Sequence, residues 1–272
     1  MAKVVVVTSG KGGVGKTTTT AALGAALAQT GDKVVVVDFD VGLRNLDLVM
    51  GAERRVVFDL INVARGEANL SQALIRDRRV DTLYLLAASQ TRDKDALSEE
   101  GVGQVIADLR TRFDWIICDS PAGIERGATL AMRFADMAVV VANPEVSSVR
   151  DSDRIIGLLD SKTEKAERGE RMEKHLLLTR YDAARAARGD MLSVEDVLDI
   201  LSIPLIGIVP ESKDVLRASN VGAPVSIGNL QSPAAAAYIE AARRLAGDAS
   251  PVTRPALERK GLLGRIFARR AA

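Results

Sequence analysis

Gly10-Lys11-Gly12-Gly13-Val14-Gly15-Lys16-Thr17 follows an apolar β-type run, Val4-Val5-Val6-Val7, and opens a helix-forming run from Thr18 to Gln29. Strand, glycine loop and helix in that order are the context a phosphate-binding loop requires. The glycines at 10, 12, 13 and 15 let the backbone turn tightly and aim successive N–H groups at phosphate oxygens. The N-terminus of the helix at Lys16 and Thr17 adds its partial positive charge at the same point, beside Val14 and Thr18. Lys16 is thereby expected on the β- and γ-phosphates, and the Thr17 hydroxyl on Mg²⁺.

A second pattern overlaps the first. Gly10-x-Gly12-x-x-Gly15 fits the dinucleotide fingerprint, and Asp38 follows at about the right distance. That reading would make a nicotinamide or flavin enzyme. A dinucleotide loop has no need of Lys16 and Thr17, and a further element for phosphoryl transfer stands at Asp119. The loop is read as binding a nucleoside triphosphate.

The chain has 272 residues, 47% of them hydrophobic, enough for one sizeable core. An aromatic share of 3% argues against stacking platforms for single-stranded nucleic acid. The single cysteine, Cys118, excludes a disulfide framework and a cysteine-rich metal site, and its apolar surroundings read as core. No signal peptide opens the chain, and no run of about 18 apolar residues could span a membrane. The net charge of +1 divides unevenly: residues 254–272 carry +5 and the body −4. A mildly acidic body is a poor duplex-DNA binder.

Along the chain, Lys33 to Asp38 reads as a buried parallel strand ending in an acid. The loop Phe39 to Asp47 then faces the phosphates, because ligands of open α/β sheets sit at the carboxyl ends of strands. Asp40 in that loop has two functional readings, orienting the attacking water or joining the metal shell, beside a plain capping role. Residues 56–65 and 71–76 read as short helices, Leu83 to Ala87 as a strand, Ser89 to Asp95 as a polar loop, and Ala96 to Arg112 as a long helix. Asp114 to Asp119 is an apolar strand ending in an acid, followed by a turn at Gly123. Asp119 is expected to hold the Mg²⁺ shell through water, opposite Thr17. Gly123 is placed to sense a γ-phosphate through its N–H. Met137 to Ala142 is a further strand, leading to a helix that ends near Asp160. His175 precedes a strand at Leu176 to Thr179 and is read as structural. Leu205 to Val209 is the last strand, and Ser232-Pro233 opens a helix ending near Gly247.

Residues 248–256 read as a polar, proline-marked linker that does not pack. Beyond it, residues 257–270 form a basic segment in which Leu262, Leu263, Ile266 and Phe267 share one helical arc and Arg265 faces away. A docked helix and a disordered nucleic-acid-binding arm are the alternatives. The linker argues against the first, and the apolar face against the second. A membrane-surface helix fits best.

Lys11 directly after the first glycine is unusual for a P-loop, and in isolation reads as a solvated charge. Lys11-Gly-Gly-Val-Gly-Lys-Thr17 resembles the signature of the deviant Walker A ATPases, the ParA/MinD family. Asp38-Phe-Asp-Val-Gly-Leu-Arg-Asn-Leu-Asp47, Gly51-Ala-Glu-Arg-Arg-Val-Val57, Arg92 to Asp95, Asn143 to Arg154 and the tail resemble its division-site branch. The likeness spans residues 2 to 270.

The resemblance implies an α/β P-loop NTPase with a mostly parallel, doubly wound sheet flanked by helices and a C-terminal membrane-targeting helix. It implies an ATPase using ATP and Mg²⁺, with Lys11 reaching across a homodimer to the partner's phosphates. Asp151 is then a possible partner of that lysine. Thr179 and Arg180 stand where relatives read adenine with Asn-Arg, Thr here replacing Asn, and Pro210 and Glu211 border the base. The implied function is ATP-dependent placement of the division site from the cytoplasmic face of the membrane, with a MinC-type inhibitor, a MinE-type activator and anionic lipid as partners. A ParA-type DNA-partitioning ATPase is the alternative, though it would not need the amphipathic tail. An iron–sulfur carrier of the same superfamily would need more than Cys118.

Overall fold

Two valine runs, Val4–Val7 and Val34–Val37, are wholly buried. β-branched residues on both faces suit central parallel strands covered on each side. A computed structural model describes residues 2–90, 96–228 and 231–255 of the chain. The strands are β1 (Lys3–Thr8), β2 (Val34–Asp38), β3 (Ile75–Arg76), β4 (Leu83–Leu86), β5 (Trp115–Asp119), β6 (Met137–Ala142), β7 (Glu173–Tyr181) and β8 (Leu205–Pro210). They form one sheet in the order β3-β4-β2-β5-β1-β6-β7-β8, parallel except for the short antiparallel edge β3.

The helices are α1 (Lys16–Ala28), α2 (Leu46–Val49), α3 (Leu60–Ala64), α4 (Leu70–Ala73), α5 (Glu99–Arg110) and α6 (Arg126–Arg133). They continue with α7 (Val146–Leu159), α8 (Glu164–Glu167), α9 (Ala183–Ala187), α10 (Val194–Leu201), α11 (Lys213–Asn220) and α12 (Pro233–Leu245). Alternation along β1 sends Val5 and Val7 to a core shared with α1 and α12, and Val4 and Val6 to one shared with α3, α5 and α7. Two cores on one sheet make the doubly wound α/β fold. Among the described residues no helix is long and apolar enough to cross a membrane.

β5 lies between β1 and β2, pairing Asp119 with Val7 on one side and with Asp38 on the other. The P-loop, the Asp38 loop and the Asp119 turn therefore leave the sheet side by side. α12 begins with Pro233 in its first turn, where a missing N–H costs nothing. Its Tyr238 reaches the P-loop helix, with the phenol oxygen 3.3 Å from Thr19 Oγ1.

Several expectations change. Ile75–Arg76 pairs with β4 instead of ending a helix, because each residue finds a strand partner there. α5 starts at Glu99, not Ala96, because the Ser98 hydroxyl caps it by accepting the Gly101 N–H. His175 lies within β7, its Nε2 paired with Glu173.

The linker packs against the body, contrary to its composition. Arg244 on α12 has a buried guanidinium that needs acceptors, and it takes the carbonyls of Ser250 (2.9 Å) and Pro251 as well as that of Ile206. Val252 rests on the core, and Arg254 pairs with Glu195 of α10. The expected tail helix, with Leu262, Leu263, Arg265, Ile266 and Phe267, lies outside the described residues, as do residues 91–95 of the polar loop.

Candidate nucleotide site

The P-loop turns between β1 and α1 on two left-handed glycines, Gly13 (φ 75°) and Gly15 (φ 100°), and Gly15 caps the helix. Gly10 is needed for a different reason: a Cβ there would lie 2.2 Å from the Asp151 carbonyl oxygen of α7. Lys16 is only 8% exposed. Its ammonium donates to the Ser9 hydroxyl at 3.1 Å, and burial lowers its pKa against the opposing pull of Asp119 and Asp40.

Asp119 accepts a hydrogen bond from the Thr20 hydroxyl at 3.2 Å, and the Thr17 hydroxyl is close enough to act on its charge. Burial pushes its pKa up to about 7, with Thr17, Lys16 and Thr20 pulling it down and Asp40 raising it further. A buried carboxylate short of positive charge, with a threonine hydroxyl beside it, is a donor set that fits a hard divalent cation. Asp40 is half-buried on the loop after β2, close enough for its charge to act on both Lys16 and Asp119. Asp38, the strand-end acid that also fitted the dinucleotide pattern, ties both ends of that loop. Its carboxylate accepts the Asp40 N–H at 2.8 Å and the Leu46 N–H at 3.3 Å, and burial next to Asp119 holds it well above the usual carboxylate range.

Lys11 sits at the rim, its ammonium 2.8 Å from Glu145 and 2.9 Å from Ser147 Oγ at the start of α7. The suspected Asp151 is not its partner. Asp151 presents its backbone to Gly10 and pairs with Arg154 instead, at 3.8 Å. The Gly123 N–H, expected to sense a γ-phosphate, donates to the Ser9 carbonyl at 3.2 Å.

A cavity of about 560 Å³ opens beside the loop, lined by Val14, Gly15, Thr18, Arg180, Pro210 and Glu211, among others. Val14, Gly15 and Thr18 of the loop thus line one cavity with the residues expected to border a base, whereas Lys16 and Thr17 lie outside its lining. Thr179 lines the same cavity, beside Arg180. Its buried hydroxyl lies 2.7 Å from the Val14 carbonyl and 2.8 Å from Asn143 Oδ1; its single proton serves one of the two at a time, and donation to Val14 ties the P-loop to β7. Arg180 adopts φ +54°, a strained setting for a non-glycine residue and one found mostly at functional sites. α11 and Tyr238 also line the cavity. Neither carries a motif that sequence reading could have found.

A lysine-bearing loop, a threonine and a strand-end aspartate on a parallel sheet define a P-loop nucleoside triphosphatase. Residues 5–225 match the model of the CobQ/CobB/MinD/ParA nucleotide-binding domain. The septum site-determining protein MinD of Escherichia coli (strain K12) is 58% identical over 269 residues, 98% of this chain and 99% of its own. The MinD of a MinC:MinD cell division protein complex from Aquifex aeolicus superposes with a TM-score of 0.82 at 42% identity, covering 94% of this chain and 100% of that one. Pyrococcus horikoshii MinD complexed with Mg-ADP gives 0.80 at 31% identity, covering 91% of this chain and 98% of its own. The chain belongs to the MinD family of septum site-determining ATPases.

Proposed function

We propose that the protein is an ATP-driven membrane switch that places the division site. The 58% identity to a septum site-determining protein over 98% of the chain carries this reading. Lys16 and the P-loop N–H groups hold the triphosphate, and the base lies in the 560 Å³ cavity between Arg180 and Pro210-Glu211. Mg²⁺, held by Thr17 and, through water, by Asp119, would neutralise charge on the phosphate oxygens. Asp40 orients the attacking water, and Lys11 exchanges Glu145 for the phosphates of a second copy.

ATP thus closes a homodimer whose paired tails, residues 257–270, engage anionic lipid on the inner face of the cell membrane. Hydrolysis then releases them. Residues 250–254, held by Arg244, the core contact of Val252 and the Arg254–Glu195 pair, keep the chain that leads toward each tail against the body. A MinC-type inhibitor is the cargo, in keeping with the Aquifex complex, and a MinE-type activator stimulates hydrolysis. Sedimentation onto anionic vesicles tests the switch. Binding with ATP and release with ADP is the expected result, and equal binding with both nucleotides would reject it.

A further inference from the structure

Ser9 follows the last residue of β1 and is fully buried. Three parts of the site converge on it. Its hydroxyl donates to the Lys11 carbonyl at 2.8 Å and accepts from the Lys16 ammonium at 3.1 Å. Its own carbonyl accepts the N–H of Gly123 at 3.2 Å, in the turn after Asp119. A serine hydroxyl has one proton to donate, and here the Lys11 carbonyl takes it. Its lone pairs therefore face the ammonium, the one orientation in which serine can hold a lysine.

We propose that Ser9 is a positioning residue that aims the Lys16 ammonium into the phosphate cradle. The proposal rests on the reading of Lys16 as a β- and γ-phosphate ligand. An ammonium has three donors, so one bond to Ser9 leaves two for phosphate oxygens and the serine does not compete with the nucleotide. Without the hydroxyl the buried ammonium has lost a neutral partner and is drawn toward Asp119, whose charge already acts on it. A lysine turned to that carboxylate is withdrawn from the phosphates and also occupies the cation's ligand. The hydroxyl's second bond fixes the carbonyl of Lys11, so the two lysines of the loop are set by one side chain.

The test titrates ADP and AMP, each with Mg²⁺, into the full-length wild type, Ser9→Ala, Ser9→Cys and Lys16→Ala. ADP carries the β-phosphate that Lys16 reaches, and AMP does not. Ser9→Ala and Ser9→Cys are expected to bind ADP about tenfold more weakly, the loss of one charge-assisted hydrogen bond, with AMP affinity unchanged. Wild-type affinity for ADP in Ser9→Cys would overturn the proposal. So would an equal loss for ADP and AMP, which would make Ser9 a packing residue, or failure of both variants to fold. The reading of Lys16 is judged separately: if Lys16→Ala binds ADP normally, that assignment itself fails, whereas loss in Lys16→Ala without loss at Ser9 rejects only the role of Ser9.

Discussion

Asp38 and Asp119 stand directly opposite each other at the carboxyl ends of β2 and β5, and neither reaches solvent. Burial raises both carboxyls, Asp119 to about 7; the charge of Asp119 raises Asp38 further, and that of Asp40 raises both. The folded protein therefore keeps protons that the unfolded chain releases near pH 4. The native state binds more protons than the unfolded one across that window, so stability falls as pH rises. The nucleotide- and Mg²⁺-free protein is expected to lose urea resistance between about pH 4 and pH 7. Asp119→Asn should flatten much of that slope. A wild type whose resistance rises through the same window would contradict it.

The ion pair of Lys11 with Glu145 joins the loop to α7 at the rim, with both side chains more than a third exposed. An exposed pair contributes only about 0–1 kcal/mol, so it can be exchanged without unfolding anything. Lys11→Ala should keep most monomer binding of nucleotide and lose ATP-dependent dimerisation by analytical ultracentrifugation. Equal loss of both would place the action of Lys11 within its own subunit.

What could be read from the sequence follows from locality. The valine runs, the glycine loop and the strand-end acids Asp38 and Asp119 each carry their meaning in consecutive residues, so the sheet's centre and the phosphate end of the site were legible. α10 and α11 are eight residues each and are missing from the sequence reading, although the Ser193–Asp196 capping box and the Ser212 cap are local signals that mark their starts. The linker's docking depends on the buried guanidinium of Arg244, which linker composition does not reveal. The contact of Lys11 with Glu145 and Ser147 rests on how α7 packs beside the loop, which the local sequence does not show. Thr179 lines the cavity as its place before Arg180 suggests, while the contact of its hydroxyl with the Val14 carbonyl has no local sequence signal.

Gly10 and Gly12 are separated by one residue and should respond oppositely to a methyl group. At Gly10 the added carbon would lie 2.2 Å from a backbone oxygen of α7, which cannot swing aside. Gly10→Ala should cost about 1–3 kcal/mol of stability in urea, the range for forced overpacking. At Gly12 the nearest atom is the Ala122 Cβ, 4.0 Å away. Gly12→Ala should therefore stay within about 0.5 kcal/mol of wild type, any effect being confined to nucleotide binding or dimerisation. Similar costs at both positions would show that the close approach of α7 is not what requires Gly10.

Asp40 projects from a loop held at both ends by Asp38, so its removal leaves the loop anchored. A water-orienting carboxylate acts on the transition state more than on the bound ground state. Asp40→Ala should slow hydrolysis while ATP-dependent vesicle binding persists. Normal turnover in that variant would return Asp40 to a capping role.

The tails should hold the membrane only in pairs. Leu262, Leu263, Ile266 and Phe267 offer partial burial, at the low end of about 1.5–3 kcal/mol each for full burial. Neighbouring basic residues add roughly 1 kcal/mol each at an anionic surface. Folding a short helix that contains Gly261 and Gly264 offsets much of that gain, so one tail binds weakly and reversibly. In an ATP-closed dimer the second insertion becomes intramolecular, which raises avidity by about 10²–10⁴. On the proposed reading ATP would control membrane binding without touching the tail. Phe267→Glu or Ile266→Glu should abolish vesicle binding and leave dimerisation and nucleotide binding intact. A dimerising coiled coil fused to the isolated tail should bind vesicles with no ATPase domain present. If the single tail binds as tightly as the fused pair, avidity is not the mechanism.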